Sequence, residues 1–157
     1  MLRNTDIRKG LAHAVNMGMV IDSLFRGNMR RLGSYMEGYG DLTLPLKAPE
    51  YSKKKAMEYF ARAGFREMGE DGILKNERGE RLCLELTFAD SSHVMTNVCS
   101  IIRQEALKCG VDLKLDPLTY SVCSRRYWLY SSFSSPSALM CMMISVPTVS
   151  FSQGSMV

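Results

Sequence analysis

The chain has 157 residues, of which 46% are hydrophobic and 23% charged, and these values are typical of one soluble globular domain. Its formal net charge is only +4, and the basic pairs Arg30-Arg31 and Arg125-Arg126 are too short to form the basic face of a nucleic-acid binder. No apolar run reaches the ~18 residues of a membrane span, and the start MLRNTDIRKG lacks the apolar core of a secretory signal. We therefore expect a cytoplasmic protein or a chain that begins inside a longer one.

The first part of the sequence predicts two helices. Asp6 is the expected N-cap of a helix over residues 7–15, in which apolar residues recur at helical spacing. Asn16 is the expected N-cap of a second helix over residues 17–25, and Gly27 stands at the position that a glycine favours after a helix.

An irregular segment is predicted from Asn28 to Pro49, because no hydrophobic period is present there. Connections of this length are uncommon in compact domains and are often functional. Gly38 and Gly40 do not form a phosphate-binding loop, since no strand precedes them and no GKS or GKT follows.

A third helix is predicted after this segment, with Ser52 as its N-cap and Gly64 at its end. Residues 73–75 and 82–88 are then expected to pair as a hairpin around residues 76–80, because Asp71-Gly72 and Arg78-Gly79 are turn signals.

A strand–helix–strand pattern over residues 82–115 predicts a βαβ unit and therefore an α/β fold with parallel strands. The helix between the strands shows an apolar face. The expected members of that face are Val94, Val98, Ile101, Ile102, Ala106 and Cys109. Ligands of open α/β sheets bind outside the carboxyl ends of the strands, which in this chain is the stretch Ala89 to His93.

Ser91, Ser92 and His93 are the candidate ligand-binding residues at this strand end. Free backbone N–H groups at the start of a helix favour a carboxylate or another anion. The alternative is structural: Asp90 or Ser91 caps the helix, and His93 is solvated. We expect no catalytic residues, because neither histidine lies in a known nucleophile motif. The five cysteines contain no CxxC pair, so we also expect no metal and no cofactor.

The composition changes abruptly after Asp116. Residues 117–157 contain eleven serines and no Asp, Glu or Lys. We therefore expect a domain over residues 1–116 and a tail of aberrant composition over 117–157. A disordered tail, a sticky extension and an out-of-frame translation all remain open as explanations.

Three ordered blocks of sequence resemble one protein family. They are IRKGLAHAVNMGMVIDSLFRG, then YSKKKAMEYFARAGF with EDGILKNERGERLCLELTF, then IIRQEALKCGVDLKL. From Asp6 to about Tyr120 the chain resembles the carboxy-terminal lobe of extracellular solute-binding proteins of family 5, the peptide-binding class of ABC importers. After Tyr120 the resemblance implies a helix and a strand bearing tryptophan and aspartate, which the sequence does not match.

The resemblance implies one lobe of a two-lobed periplasmic binding protein that captures a peptide and delivers it to membrane permease subunits. It implies no enzymatic activity, and it implies that an amino-terminal lobe of the parent protein is missing from this chain. It adds Tyr35 and Tyr39 as candidates for lining the peptide cleft. Two alternatives remain open: a small cytoplasmic α/β enzyme that uses the same strand end, or a non-functional fragment.

Overall fold

The computed structural model describes residues 1–31, 33, 46–90, 92–132 and 149–151. Within them the fold is α/β, as predicted. The helices are α1 (Thr5–Ala14), α2 (Met17–Phe25), α3 (Lys53–Arg62), α4 (His93–Leu107) and α5 (Tyr120–Ser132). The strands are β1 (Met29–Arg31), β2 (Phe65–Met68), β3 (Leu74–Asn76), β4 (Cys83–Ala89), β5 (Asp112–Leu118) and β6 (Val149–Phe151). None of the helices in the described part of the chain is long and apolar enough to span a membrane.

The observed N-cap residues agree with the predicted ones at two helices and differ from the prediction at one. Asn16 caps α2 by accepting a hydrogen bond from the Met19 N–H, and Ser52 caps α3, so both predictions are confirmed. The prediction for α1 is wrong, because Asn4 is the cap and accepts from the N–H of Asp6 at 2.8 Å. Asp6 lies inside the first turn, where its charge still favours the positive end of the helix.

Helices α1 and α3 pack closely because Gly10 has no side chain. A Cβ atom at Gly10 would lie 2.5 Å from Cε1 of Phe60, whose side chain is completely buried. The glycine therefore lets the backbone of α1 approach the aromatic ring of α3.

The predicted hairpin around residues 76–80 is confirmed only in part, because the ladder partner of β3 is β2. β3 pairs antiparallel with β2, which the sequence analysis did not predict, through the turn at Asp71 and Gly72. The carboxylate of Asp71 accepts from the N–H of Ile73 at 3.1 Å, and Gly72 has a φ of 73°, which suits a glycine. The pairing expected with the segment around β4 is present in part: Lys75 and Arg81 form an isolated bridge, the N–H of Asn76 donates to the carbonyl of Glu80 at 3.0 Å, and the N–H of Leu82 donates to the carbonyl of Leu74 at 2.7 Å.

The predicted βαβ unit is confirmed. Strands β4 and β5 are parallel, with Cys83 opposite Asp112 and Ala89 opposite Leu118. Gly110, with a φ of 77°, ends the turn after α4, and its carbonyl accepts from the N–H of Leu74 at 2.8 Å. The core between this unit and helices α1 and α3 includes Leu11, Phe60, Leu74, Leu82, Phe88, Cys99 and Val111.

The buried face of α4 differs from the predicted one at three positions, Val94, Cys99 and Glu105, and Cys99 is completely buried. Ile102, Ala106 and the following Cys109 are buried as expected, whereas Val94 is 47% exposed. Val94 stands in the first turn, ahead of the point where the helix meets the core. Glu105, which the predicted apolar face did not include, is only 2% exposed.

Regular structure continues past the predicted boundary at residue 116. β5 extends to Leu118, α5 follows directly, and β6 pairs antiparallel with β1, which lies inside the segment predicted to be irregular. α5 contains few charged residues, and it packs against β4.

Candidate functional site

The carboxyl ends of β4 and β5 form one edge, and the candidate site is located there. The two strands end in the same register, at Ala89 and Leu118, and the N–H of Asp90 donates to the carbonyl of Leu118 at 3.0 Å. The connections that leave the two strands therefore start side by side. One leads to the start of α4 and the other to the start of α5, an arrangement in which α/β sheets bind ligands.

The first turn of α4 presents backbone donors at this edge. Ser92 is the N-cap and has an extended backbone, but its side chain makes no capping hydrogen bond. The predicted structural role for Asp90 as the cap is therefore not observed. Ser92 and His93 are both exposed, and Ser91 lies outside the described residues. The positive end of the α4 dipole, with His93 next to it, can accept a carboxylate from solvent.

Tyr35 and Tyr39 lie outside the described residues, but the flanks of their segment are described. A guanidinium nitrogen of Arg31 donates to the carbonyl of Pro49 at 2.6 Å, so the chain before and after the segment is held together. Nδ1 of His13 lies 2.7 Å from the carbonyl of Glu50 and ties the same flank to α1. Burial lowers the pKa of Arg31, which nevertheless stays charged at neutral pH.

A polar cluster near the edge was not anticipated from the sequence. The hydroxyl of Thr87 on β4 lies 3.3 Å from Oδ2 of Asp116 on β5, its cross-strand partner. Arg126 of α5 donates to the same oxygen at 2.8 Å. The three residues are distant in sequence, and only the parallel register of the strands brings them together. A polar residue near the end of each predicted strand was the only signal available.

Exposed apolar side chains also begin both helices at this edge. Val94 of α4 is 47% exposed, and Tyr120 and Val122 of α5 are 72% and 41% exposed. Apolar surface at a strand end that also offers polar donors is the usual composition of a ligand site.

The described residues offer little for catalysis or metal binding. No group of three or more His, Cys, Asp or Glu side chains among them is placed to hold a metal ion. Burial, and secondarily the charge of Asp112, raises the pKa of the Cys83 thiol, and burial likewise raises that of Cys109. Raised thiol pKa values keep these cysteines protonated and poor nucleophiles.

Comparison with known proteins identifies the class to which this fold and edge belong. The family model of bacterial extracellular solute-binding proteins, family 5, matches residues 1–142. The chain therefore belongs to this family of binding proteins. The match passes Tyr120, where the resemblance was expected to end. No match was found among curated protein sequences.

Solved structures show the same fold. The oligopeptide-binding protein AppA from Bacillus subtilis, in complex with a nonapeptide, is 19% identical with a TM-score of 0.70; 80% of this chain and 25% of AppA are covered. An oligopeptide-binding protein from Thermus thermophilus, complexed with a pentapeptide, is 23% identical with a TM-score of 0.70. The alignment covers 77% of this chain and 21% of that protein. NikA from Brucella suis, in complex with Fe(III)-EDTA, is 20% identical with a TM-score of 0.68. The alignment covers 93% of this chain and 31% of NikA. The chain thus spans about a quarter of the length of these relatives.

Proposed function

We propose that this chain contributes one wall of the ligand cleft of a peptide-binding protein of an ABC importer. The parent protein captures a peptide on the periplasmic side of the membrane and delivers it to permease subunits. It closes two lobes around the ligand, and this chain contributes to one of them. The proposed role is binding without catalysis.

One observation carries this proposal: the side chain of Ser92, the N-cap of α4, makes no capping hydrogen bond, and the exposed His93 follows it at the shared strand end. Backbone N–H groups that lack a capping side chain satisfy their hydrogen bonds with water or with a ligand. The negative charge of a peptide carboxylate complements these backbone N–H groups. The exposed Val94 and Tyr120 offer apolar contact to the adjacent peptide side chains. Ser91, Tyr35 and Tyr39 remain proposed ligand contacts.

The two histidines of the chain provide a direct test, because one is at the proposed site and the other is not. In a proton NMR titration with a mixture of di- to pentapeptides, the ring resonances of His93 should shift, whereas those of His13 should not. One wall of a cleft should bind weakly, with a dissociation constant of about 1 mM or higher, which is at most about 4 kcal/mol.

Two variants assign the response to the site. His93→Ala should remove the shifting resonance and weaken binding, whereas Glu77→Ala, at an exposed position of the turn after β3, should leave peptide binding unchanged. A control titration with peptides amidated at the carboxyl end should give smaller shifts. If His13 responds as strongly as His93, or if amidation has no effect, the ligand is not bound at the start of α4.

We propose further that the lobe portion covers residues 1–116 and that residues 117–157 are of different origin, an out-of-frame extension. The absence of Asp, Glu and Lys after Asp116 supports this division. The nucleotide sequence tests it: reading one of the other frames from the codon of Ser121 should give a charged helix and then a strand with tryptophan and aspartate. If neither frame does so, the tail is authentic.

A further inference from the structure

The positive charge of the chain is concentrated on two packed helices. α1 and α3 together carry six Lys and Arg residues and two acidic residues, Asp6 and Glu58. Their surplus of four positive charges equals the formal net charge of +4 of the whole chain. The rest of the chain is therefore neutral on balance, and the net positive charge of the chain is accounted for by these two helices.

The ring of Tyr59 joins the charges of the two helices into one surface. The ammonium nitrogen of Lys9 on α1 lies 5.9 Å from the ring centroid, and the guanidinium carbon of Arg62 on α3 lies 5.2 Å from it. The ring of His13 stacks on Tyr59 with the centroids 5.7 Å apart. We call this region the α1–α3 basic surface. It consists of Lys9, Lys53, Lys54, Lys55, Tyr59 and Arg62.

Three of the four lysines of this surface do not serve the fold. Lys53, Lys54 and Lys55 occupy the first turn of α3, where positive charge opposes the helix dipole. All three are exposed, and none forms an ion pair with another described residue. A run of like charges that weakens its own helix and forms no ion pair with another described residue fits a negatively charged external partner.

We propose that the α1–α3 basic surface docks on an anionic phospholipid bilayer. Lysines act as flexible point charges that respond to the potential of a charged surface, and each contributes separately to membrane attraction. A tyrosine among them suits the headgroup region of a membrane. A single-stranded nucleic acid fits less well, because it needs an open aromatic face for base stacking, whereas His13 and the two cations lie close around Tyr59.

The test is co-sedimentation of the full chain with vesicles. Binding is expected to vesicles of phosphatidylcholine mixed with phosphatidylglycerol, and not to vesicles of phosphatidylcholine alone. It should be lost near 1 M salt, where the screening length is about 3 Å. The variant with Lys53, Lys54 and Lys55 replaced by Gln should lower the partition coefficient by about 100-fold, since each charge contributes about fivefold.

A matched control separates position from net charge. Replacing the exposed Arg78, Arg103 and Lys114 by Gln changes the net charge equally but leaves the α1–α3 basic surface intact, so binding should fall by less than about fivefold. Replacing the three lysines by Glu should abolish binding while raising thermal stability, because acidic residues favour the start of a helix. Equal losses in the two Gln variants, or no binding to phosphatidylglycerol vesicles, would overturn the proposal. The peptide titration followed at His93 tests the proposed peptide site separately, and its outcome does not depend on whether the chain binds vesicles.

Discussion

The ammonium group of Lys108 lies 2.5 Å from Oε1 of Glu105, although the side chain of Glu105 is only 3% exposed and that of Lys108 is 59% exposed. A buried carboxylate is thus balanced by a cation that remains in contact with solvent. The hydrogen bond that Lys108 donates to Glu105, together with the charge of Glu105, raises the pKa of Lys108 above the usual 10.5. The two residues are three positions apart on the last turn of α4 and its C-cap.

Removing the cation alone should therefore be worse than removing both groups. Lys108→Met leaves the buried carboxylate without its counter-charge, whereas the double variant Glu105→Leu/Lys108→Met replaces the pair by apolar side chains. We expect the melting temperature to fall for the single variant and to recover toward the wild-type value for the double variant. Thermal unfolding by circular dichroism measures both. A single variant as stable as the wild type would contradict this role of the pair.

The same pair should make stability depend on alkaline pH. Because the pKa of Lys108 is raised in the folded state, its contribution is fully present below 10.5 and is lost as the pH rises through the folded value. In Glu105→Gln, which lacks the charge, the loss of stability above pH 10.5 should be smaller. Urea unfolding across that range is the measurement, and parallel curves for the two proteins would argue against the linkage.

Asp71 should give the opposite dependence at acidic pH. Its hydrogen bond from the N–H of Ile73, assisted by the charges of Arg81 and Lys75, lowers the pKa of the carboxyl below 3.8. The contribution of this turn is therefore present above pH 3.8 and lost as the pH falls through the folded value. Asp71→Asn keeps the acceptor oxygen but cannot titrate, so its acid unfolding curve should be less steep. An unchanged acid unfolding curve would mean that titration of Asp71 does not contribute to the stability of the chain.

Gly10→Ala should destabilise the chain despite the better helix propensity of alanine. The new methyl group would lie 2.5 Å from Cε1 of the buried Phe60. The gain in propensity is about 1 kcal/mol and the cost of overpacking about 1–3 kcal/mol, so we expect a net loss of up to about 2 kcal/mol.

The double variant Gly10→Ala/Phe60→Leu tests whether this contact is the cause. Leucine removes the ring edge that meets the new methyl group, so the two substitutions should be less destabilising together than their separate effects predict. A coupling free energy of more than about 0.5 kcal/mol is expected in a denaturant double-mutant cycle. Simple additivity would place the origin of the effect elsewhere.

Asp116→Asn should loosen α5 without unfolding the β4–β5 pair. The substitution weakens the ion pair with Arg126, which is about half exposed and is worth at most about 1 kcal/mol. Amide hydrogen exchange should accelerate over residues 120–132 and stay unchanged in β4. Asp112→Asn, at the opposite end of the same strand, is the control and should leave exchange in α5 unaffected.

The amino-acid sequence by itself determined the parts of this protein that depend on local pattern. Asn16 and Ser52 cap their helices as predicted, since a cap needs only a side-chain oxygen and three following residues. The βαβ unit follows from the apolar strands on both sides of α4 and a glycine at its end, which limit the chain to a parallel pairing. Family membership also follows from ordered sequence blocks.

Only the tertiary structure decided the features that depend on which distant residues meet. The sequence could not show that β3 prefers β2 to β4. A turn signal separates β3 from each of the two strands, and the choice between them depends on packing. The predicted apolar face did not include Glu105, because helical spacing defines a face but not how deeply that face is buried. The cluster of Thr87, Asp116 and Arg126 likewise requires the register of two strands and the position of a helix that the composition after Asp116 had not predicted. Register and burial depend on the whole core, whereas caps and turns depend on a few neighbouring residues.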